Sequence, residues 1–344
     1  MLNGSHGGND LALDVELDLS ANLNPLGMPE SVREAVIASA GECENYPDPF
    51  CRELRRRLAE HTGVSAENIV CGNGADDLIY RIAGGLKLRR VLICAPAFGE
   101  YRKAFEENGC HVSEYILDEK KDFALGEEFL PEISKADMII AAAPNNPSGQ
   151  VIDPSMVRKI AESCMKNDTF FLCDESFMGF VREGNELTAL NVLNDKVIVL
   201  RSFTKLFAMA GLRLGYAVFG SIEAAEKTAC AGQYWSVSAP AQAAGIAVLG
   251  ENGYIERSIV NICKERSFLS EELTAMGLKV YLSYANFILF RAPETLGELL
   301  LKEKILIRCC GDYSGLDGSF FRVAVRSREE NQRFAAEVRR VLNG

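Results

Sequence analysis

Histidine and tryptophan are almost missing from this chain of 344 residues, at three and one. So few imidazoles, none of them clustered, argue against a histidine-built metal centre, and the adjacent pair Cys309 and Cys310 has no histidine beside it; no metal is expected. Positive charge is also short. Lysine and arginine total 37 against 48 aspartates and glutamates, and the net charge of -11 repels phosphate backbones and anionic lipid. Neither nucleic acid nor membrane is therefore expected as a partner, and an anionic ligand must be captured locally. No apolar run approaches a membrane span, and the opening MLNGSHGGND lacks the basic start and apolar stretch of an export signal. The eleven cysteines are odd in number and show no C-x-x-C spacing, which favours reduced, buried thiols in a cytoplasmic protein.

What is present is alternation. The apolar runs RRVLICAP, ADMIIAAAP, TFFLCDE, KVIVLRSF and RLGYAVFG have the character of strands buried on both faces, and helical stretches such as GADDLIYRIAGGL and PSMVRKIAESCMKN separate them. This order predicts an α/β fold with a mostly parallel sheet. From about residue 255 the texture changes to a long amphipathic helix, three short strand-like runs and a closing helix, REENQRFAAEVRRVL, which predicts a small α+β lobe. The expected division is an N-terminal segment over 1–40, a large domain over 41–250 and a small C-terminal domain over 251–344.

Ligands of open parallel sheets gather beyond the carboxyl ends of the strands. After ENIVCG comes GNGADD, where Gly74 allows close backbone approach and the amides of Ala75 and Asp76 open a helix, a seat for an anion. Phe98 follows ICAP, Asn146 follows IIAAAP, Asp174 ends FFLCD, and Ser202 and Lys205 follow VIVLR. Taken singly, Asp174 reads equally as a helix cap, Phe98 as core and Arg213 as a surface ion pair. Together they supply what pyridoxal phosphate requires: an amine, a carboxylate for the pyridine nitrogen, a ring to stack on and a phosphate cup.

The segment SFTKLFAMAGLRLG resembles the lysine motif of fold-type I pyridoxal-phosphate enzymes, S-x-x-K followed by G-x-R-x-G, and the resemblance runs from about residue 6 to 335. It implies a large domain with a mostly parallel seven-stranded sheet and a small α+β domain. It further implies Lys205 as the Schiff-base amine and Asp174 as the pyridinium partner, with Asn146 on the cofactor's phenolic oxygen and Phe98 stacked on its ring. Gly74, Ala75, Asp76, Ser202 and Arg213 would hold the phosphate, and Tyr46 in YPDP would reach the cofactor of a neighbouring subunit in a homodimer with shared active sites.

Two branches of that family fit. Histidinol-phosphate aminotransferases share the layout. The L-threonine-O-3-phosphate decarboxylases of cobalamin synthesis share it too, and HGGN followed by LDLSANLNPLG, Phe177 in DESF in place of a tyrosine, and SFFRVAVRSREEN resemble their version more closely. Arg322 would clamp the substrate carboxylate, while His6, the Gly7-Gly8 backbone, Asn24 and Arg308 would receive the substrate phosphate, with Asn146 alongside. The expected substrate is a small phosphorylated amino acid, threonine phosphate or serine phosphate. Arg322 and Arg326, four residues apart, are expected on one face of one strand.

Overall fold

A computed structural model describes Gly8 and residues 14–343 of the chain. In chain order the elements are β1 (Leu17–Asp18), α1 (Glu30–Ala38), α2 (Arg52–Thr62), β2 (Ile69–Gly72), α3 (Ala75–Leu86), β3 (Arg90–Ala95), α4 (Gly99–Glu107) and β4 (His111–Ile116). Next come β5 (Met138–Ala142), α5 (Pro154–Asn167), β6 (Phe170–Asp174), α6 (Gly184–Leu187), β7 (Val197–Ser202), β8 (Gly215–Phe219), α7 (Ile222–Cys230) and α8 (Ala239–Val248). The last third holds α9 (Asn252–Ala275), β9 (Lys279–Val280), β10 (Phe287–Arg291), α10 (Leu296–Lys302), β11 (Ile305–Leu306), β12 (Arg308–Cys309), β13 (Phe320–Ala324) and α11 (Arg328–Asn343).

Seven strands form the large sheet, in the order β2-β8-β7-β6-β5-β3-β4. All run parallel except β8, which is antiparallel to both of its neighbours. The strands are apolar at nearly every position because both faces are covered. Val199 and Val218 face the core beneath α2, α5 and α8, whereas Ile198, Leu200, Ala217 and Phe219 face α3, α4 and α7. Parallel strands deliver their carboxyl ends to one edge. The reversal of β8 brings its leading residues, and Arg213 just before them, to that same edge.

The second lobe is a four-stranded antiparallel sheet, β12-β13-β10-β9, packed by α9, α10 and α11. The N-terminal segment divides between the lobes: β1 adds in parallel to β11, while α1 lies on α8 of the large lobe. The lobes meet through aromatic packing, Phe123 on Tyr281 and Phe177 on Phe287, and through polar contacts. Glu119 accepts from Tyr281 at 2.5 Å, Lys279 at 2.8 Å and Arg291 at 3.4 Å, and the Tyr284 amide donates to Gly149 O at 2.8 Å.

One expectation is corrected. Strand β13 ends at Ala324, so Arg326 does not share its face with Arg322. Arg326 instead pairs with Glu330 at 3.2 Å in the first turn of α11, and its amide donates to Asn331 Oδ1. The following helix recruits this arginine once the ladder stops.

Candidate active site

A cavity of about 250 Å³ opens at the carboxyl edge of the large sheet, roofed by residues of the second lobe. Lys205 lies on its floor, in the loop after β7. Burial, reinforced by the Arg322 guanidinium, lowers its amine from 10.5 to about 8, so a minor fraction, roughly a tenth, is neutral at pH 7 and half is neutral at pH 8. Asp174, the last residue of β6, reaches the same cavity and is buried. Its Oδ1 accepts the Ser176 amide at 2.8 Å and its Oδ2 the Tyr101 hydroxyl at 2.5 Å. Burial pushes its carboxyl up, and these donors pull it back down. The adjacent Glu175 points to the opposite side of the sheet, as strand alternation requires, where it accepts from Arg201 at 2.6 Å and Thr188 at 2.8 Å.

Beside Lys205 is a concavity fit for an anion. Gly74, with φ of +88°, precedes the first turn of α3, and a Cβ there would lie 2.6 Å from a terminal nitrogen of Arg213. The Ser202 and Thr204 hydroxyls are 2.7 Å apart, and Arg213 pairs with Asp76 at 3.6 Å. A guanidinium, two hydroxyls and the N-terminal amides of a 12-residue helix thus converge on one spot. Phe98 lines the cavity and meets Tyr101 edge to face, with ring centres 5.7 Å apart.

The roof is cationic. Arg322, 5% exposed, donates to Asn146 Oδ1 at 2.5 Å and Ser20 O at 2.7 Å, while its Nε is buried without a partner. Arg308 is its directly opposite residue on β12; it is held by Asp312 at 2.6 Å and lies over the Tyr313 ring at 5.2 Å. Phe177 also lines the cavity, its ring edge-on to Phe287.

Not every expected residue is here. Asn24 is withdrawn from the site: its Nδ2 donates to Leu206 O at 2.8 Å and Ser258 Oγ at 2.7 Å, and its Oδ1 accepts the Leu26 amide, so its polar atoms are committed to the packing of α9. Asn22, two residues earlier, lines the cavity instead, with a buried and unpartnered Oδ1. Gly8 is exposed, and its amide donates at 3.0 Å to the Oγ of Ser20, a cavity residue. His6 and Gly7 lie outside the described residues. Tyr46 is 78% exposed, outside the cavity of its own chain, and stacks on Trp235 at 4.3 Å. Sequence reasoning missed Ser20, Asn22, Tyr101, Thr204 and Tyr313. Of these only Tyr101 carried a signal, three residues past Phe98 at a helix start and so on the same side.

The aminotransferase class I and II family matches the chain over residues 14–338. The chain is 36% identical to the threonine-phosphate decarboxylase of Salmonella typhimurium, across 100% of this chain and 98% of that protein. Among solved structures, the histidinol-phosphate aminotransferase from Clostridium acetobutylicum superposes with a TM-score of 0.90 at 31% identity, covering 95% of this chain and 99% of that one. The L-threonine-O-3-phosphate decarboxylase from Porphyromonas gingivalis does so with a TM-score of 0.86 at 25% identity, covering 95% and 100%.

Proposed function

The chain belongs to the aminotransferase class I and II family, and from that premise we propose that it is a pyridoxal-phosphate-dependent decarboxylase acting on L-threonine O-3-phosphate. The product is (R)-1-amino-2-propanol O-2-phosphate, for the nucleotide loop of cobalamin. The observation that carries this reading is the cross-strand pair Arg308 and Arg322. Like charges set directly opposite each other are unfavourable unless anions join them. Two guanidinium groups on one wall suit a doubly anionic substrate, such as one bearing both a carboxylate and a phosphate.

The residues present fit the cofactor. Large-lobe residues 41–250 supply its seat: Gly74, the amides of Ala75 and Asp76, Ser202, Thr204 and Arg213 for the phosphate, Phe98 against the ring face, Asp174 at the ring nitrogen and Asn146 at the phenolic oxygen. Lys205 provides the amine that attaches to its aldehyde. When bound, the group supplies an electron sink for the bond broken at the substrate's α carbon. Residues 251–344 supply Arg322 for the carboxylate and Arg308 for the phosphate, with Asn22 and Gly8 near by. Lys205 Nζ, neutral in part near pH 8, can hold the proton that replaces carbon dioxide on the α carbon. The second-lobe residues Arg308, Tyr313 and Arg322 over the cavity limit the water that reaches that step.

We further infer a cytoplasmic homodimer. Tyr46, Phe50, Tyr234 and Trp235 form an exposed aromatic cluster that a second copy would cover, bringing the partner subunit's Tyr46 to the cofactor phosphate. All eleven cysteines are unpaired, as suits a reducing compartment, and no helix among the described residues is long and apolar enough to cross a membrane.

The test is incubation with threonine phosphate, with serine phosphate, and with histidinol phosphate plus 2-oxoglutarate. Carbon dioxide from threonine phosphate without glutamate is the expected result. Carbon dioxide from serine phosphate alone would move the substrate assignment, and glutamate from histidinol phosphate would overturn decarboxylation.

A further inference from the structure

Tyr101 has no role in the assignments above, yet it touches two of the residues that would flank the cofactor ring. It stands in the first turn of α4, is 2% exposed, and its amide donates to Phe98 O at 3.3 Å. Its ring meets that of Phe98 at 86°, and its hydroxyl donates to Asp174 Oδ2 at 2.5 Å. One buried side chain therefore holds both the aromatic platform and the carboxylate in register. The other carboxylate oxygen is held by the Ser176 amide, so the Asp174 carboxylate cannot rotate without losing a bond at each end.

Resting on pyridoxal phosphate as the cofactor, we propose that Tyr101 is a positioning residue for the reaction: its phenol fixes the Asp174 carboxylate toward the ring nitrogen and limits how tightly that carboxylate holds the shared proton. The groups acting on Asp174 come from four elements. Asp76 on α3 opposes its charge, Lys205 in the loop after β7 favours it, Cys173 precedes it on β6, and Tyr101 donates from α4. Of these four side chains, only Tyr101 is hydrogen-bonded to the carboxylate, and a single hydroxyl deletion removes that bond. A carboxylate deprived of a donor is the stronger base. It draws the shared proton from the ring, the ring becomes less electron-withdrawing, and the nitrogen joined to Lys205 becomes more basic.

Tyr101→Phe keeps the ring and removes only the hydroxyl. Wild type and variant are loaded with pyridoxal 5'-phosphate, and the visible absorption of each is titrated against pH. A hydrogen bond to a charged group corresponds to about one to two pH units at the carboxylate itself. A fraction of this reaches the absorbing group, so the variant's midpoint should rise by about half a unit, and the shift should vanish in an Asp174→Asn background. An unchanged midpoint overturns the proposal, as does the same shift surviving without the carboxylate. If Tyr101→Phe does not fold, 3-fluorotyrosine placed at position 101 keeps the phenol and strengthens its donation; the midpoint should then fall, and no movement overturns the proposal. If wild type develops no absorption band with pyridoxal phosphate, the cofactor assignment itself fails and the proposal falls with it.

Discussion

Arg308 on β12 and Arg322 on β13 are directly opposite residues of an antiparallel ladder, at the roof of one cavity. Their environments differ. Arg308 has a carboxylate, Asp312, on its fork, whereas Arg322 is held by the neutral acceptors Asn146 Oδ1 and Ser20 O and keeps a buried Nε unpartnered. The unequal pairing predicts unequal roles.

Arg322→Ala should lower kcat/KM for threonine phosphate by roughly two to three orders of magnitude, the scale of losing a buried charged partner, while cofactor dissociation changes little. Arg308→Ala should act mainly on KM. Steady-state kinetics set beside cofactor release checks both, and equal loss of substrate and cofactor binding on Arg322→Ala would contradict the assignment.

Lys205→Met should stabilise the cofactor-free protein at neutral pH. The wild-type amine is lowered to about 8 in the fold against 10.5 unfolded, so the folded state binds fewer protons between those values and wild-type stability rises with pH across that window. At pH 7 the charged amine therefore weakens the fold, by roughly 3 kcal/mol at most. The advantage of the variant should shrink above pH 8 and be gone by about 10.5. Denaturant unfolding at pH 7 and 10 measures it. The variant should also develop none of the visible absorption of wild type with pyridoxal phosphate.

Glu119 ties the lobes through three donors, which hold its carboxyl below the ordinary 4.5, chiefly by the bonds from Lys279 and Tyr281. A depressed carboxyl contributes stability above pH 4.5 that is lost as pH falls through the lowered value. Glu119→Gln should cost about 1 kcal/mol at pH 7, a modest figure because the cluster is partly solvated. The difference from wild type should close in acid, as pH falls below 4.5 and through that lowered value. Unfolding curves at pH 7 and in acid decide, and a gap that persists in acid would place the loss elsewhere.

Trp235→Glu sets a charge in the exposed aromatic cluster beside Tyr46, 4.3 Å away. It should halve the mass seen by sedimentation and loosen cofactor binding, because the partner's Tyr46 would be lost with the dimer. A wild-type protein that sediments as a monomer would remove the basis for shared sites.

The α/β order and the strand-end residues that meet at the cavity could be read from the chain because each of those residues sits next to an apolar run that buries itself. Once parallel strands form, backbone geometry carries Gly74, Asn146, Asp174 and Lys205 to one edge without further instruction. Arg213 joins them because β8 runs backwards. Local sequence thus determined which residues could meet. Which of two similar neighbours faces the cavity was decided only by contacts distant in sequence. Asn24 is drawn inward by Ser258, 234 residues away, leaving the cavity to Asn22, and Arg326 is captured by a helix that begins where the ladder stops. A side chain's direction follows from the partners that satisfy its polar atoms, and those partners exist only after the lobes have packed.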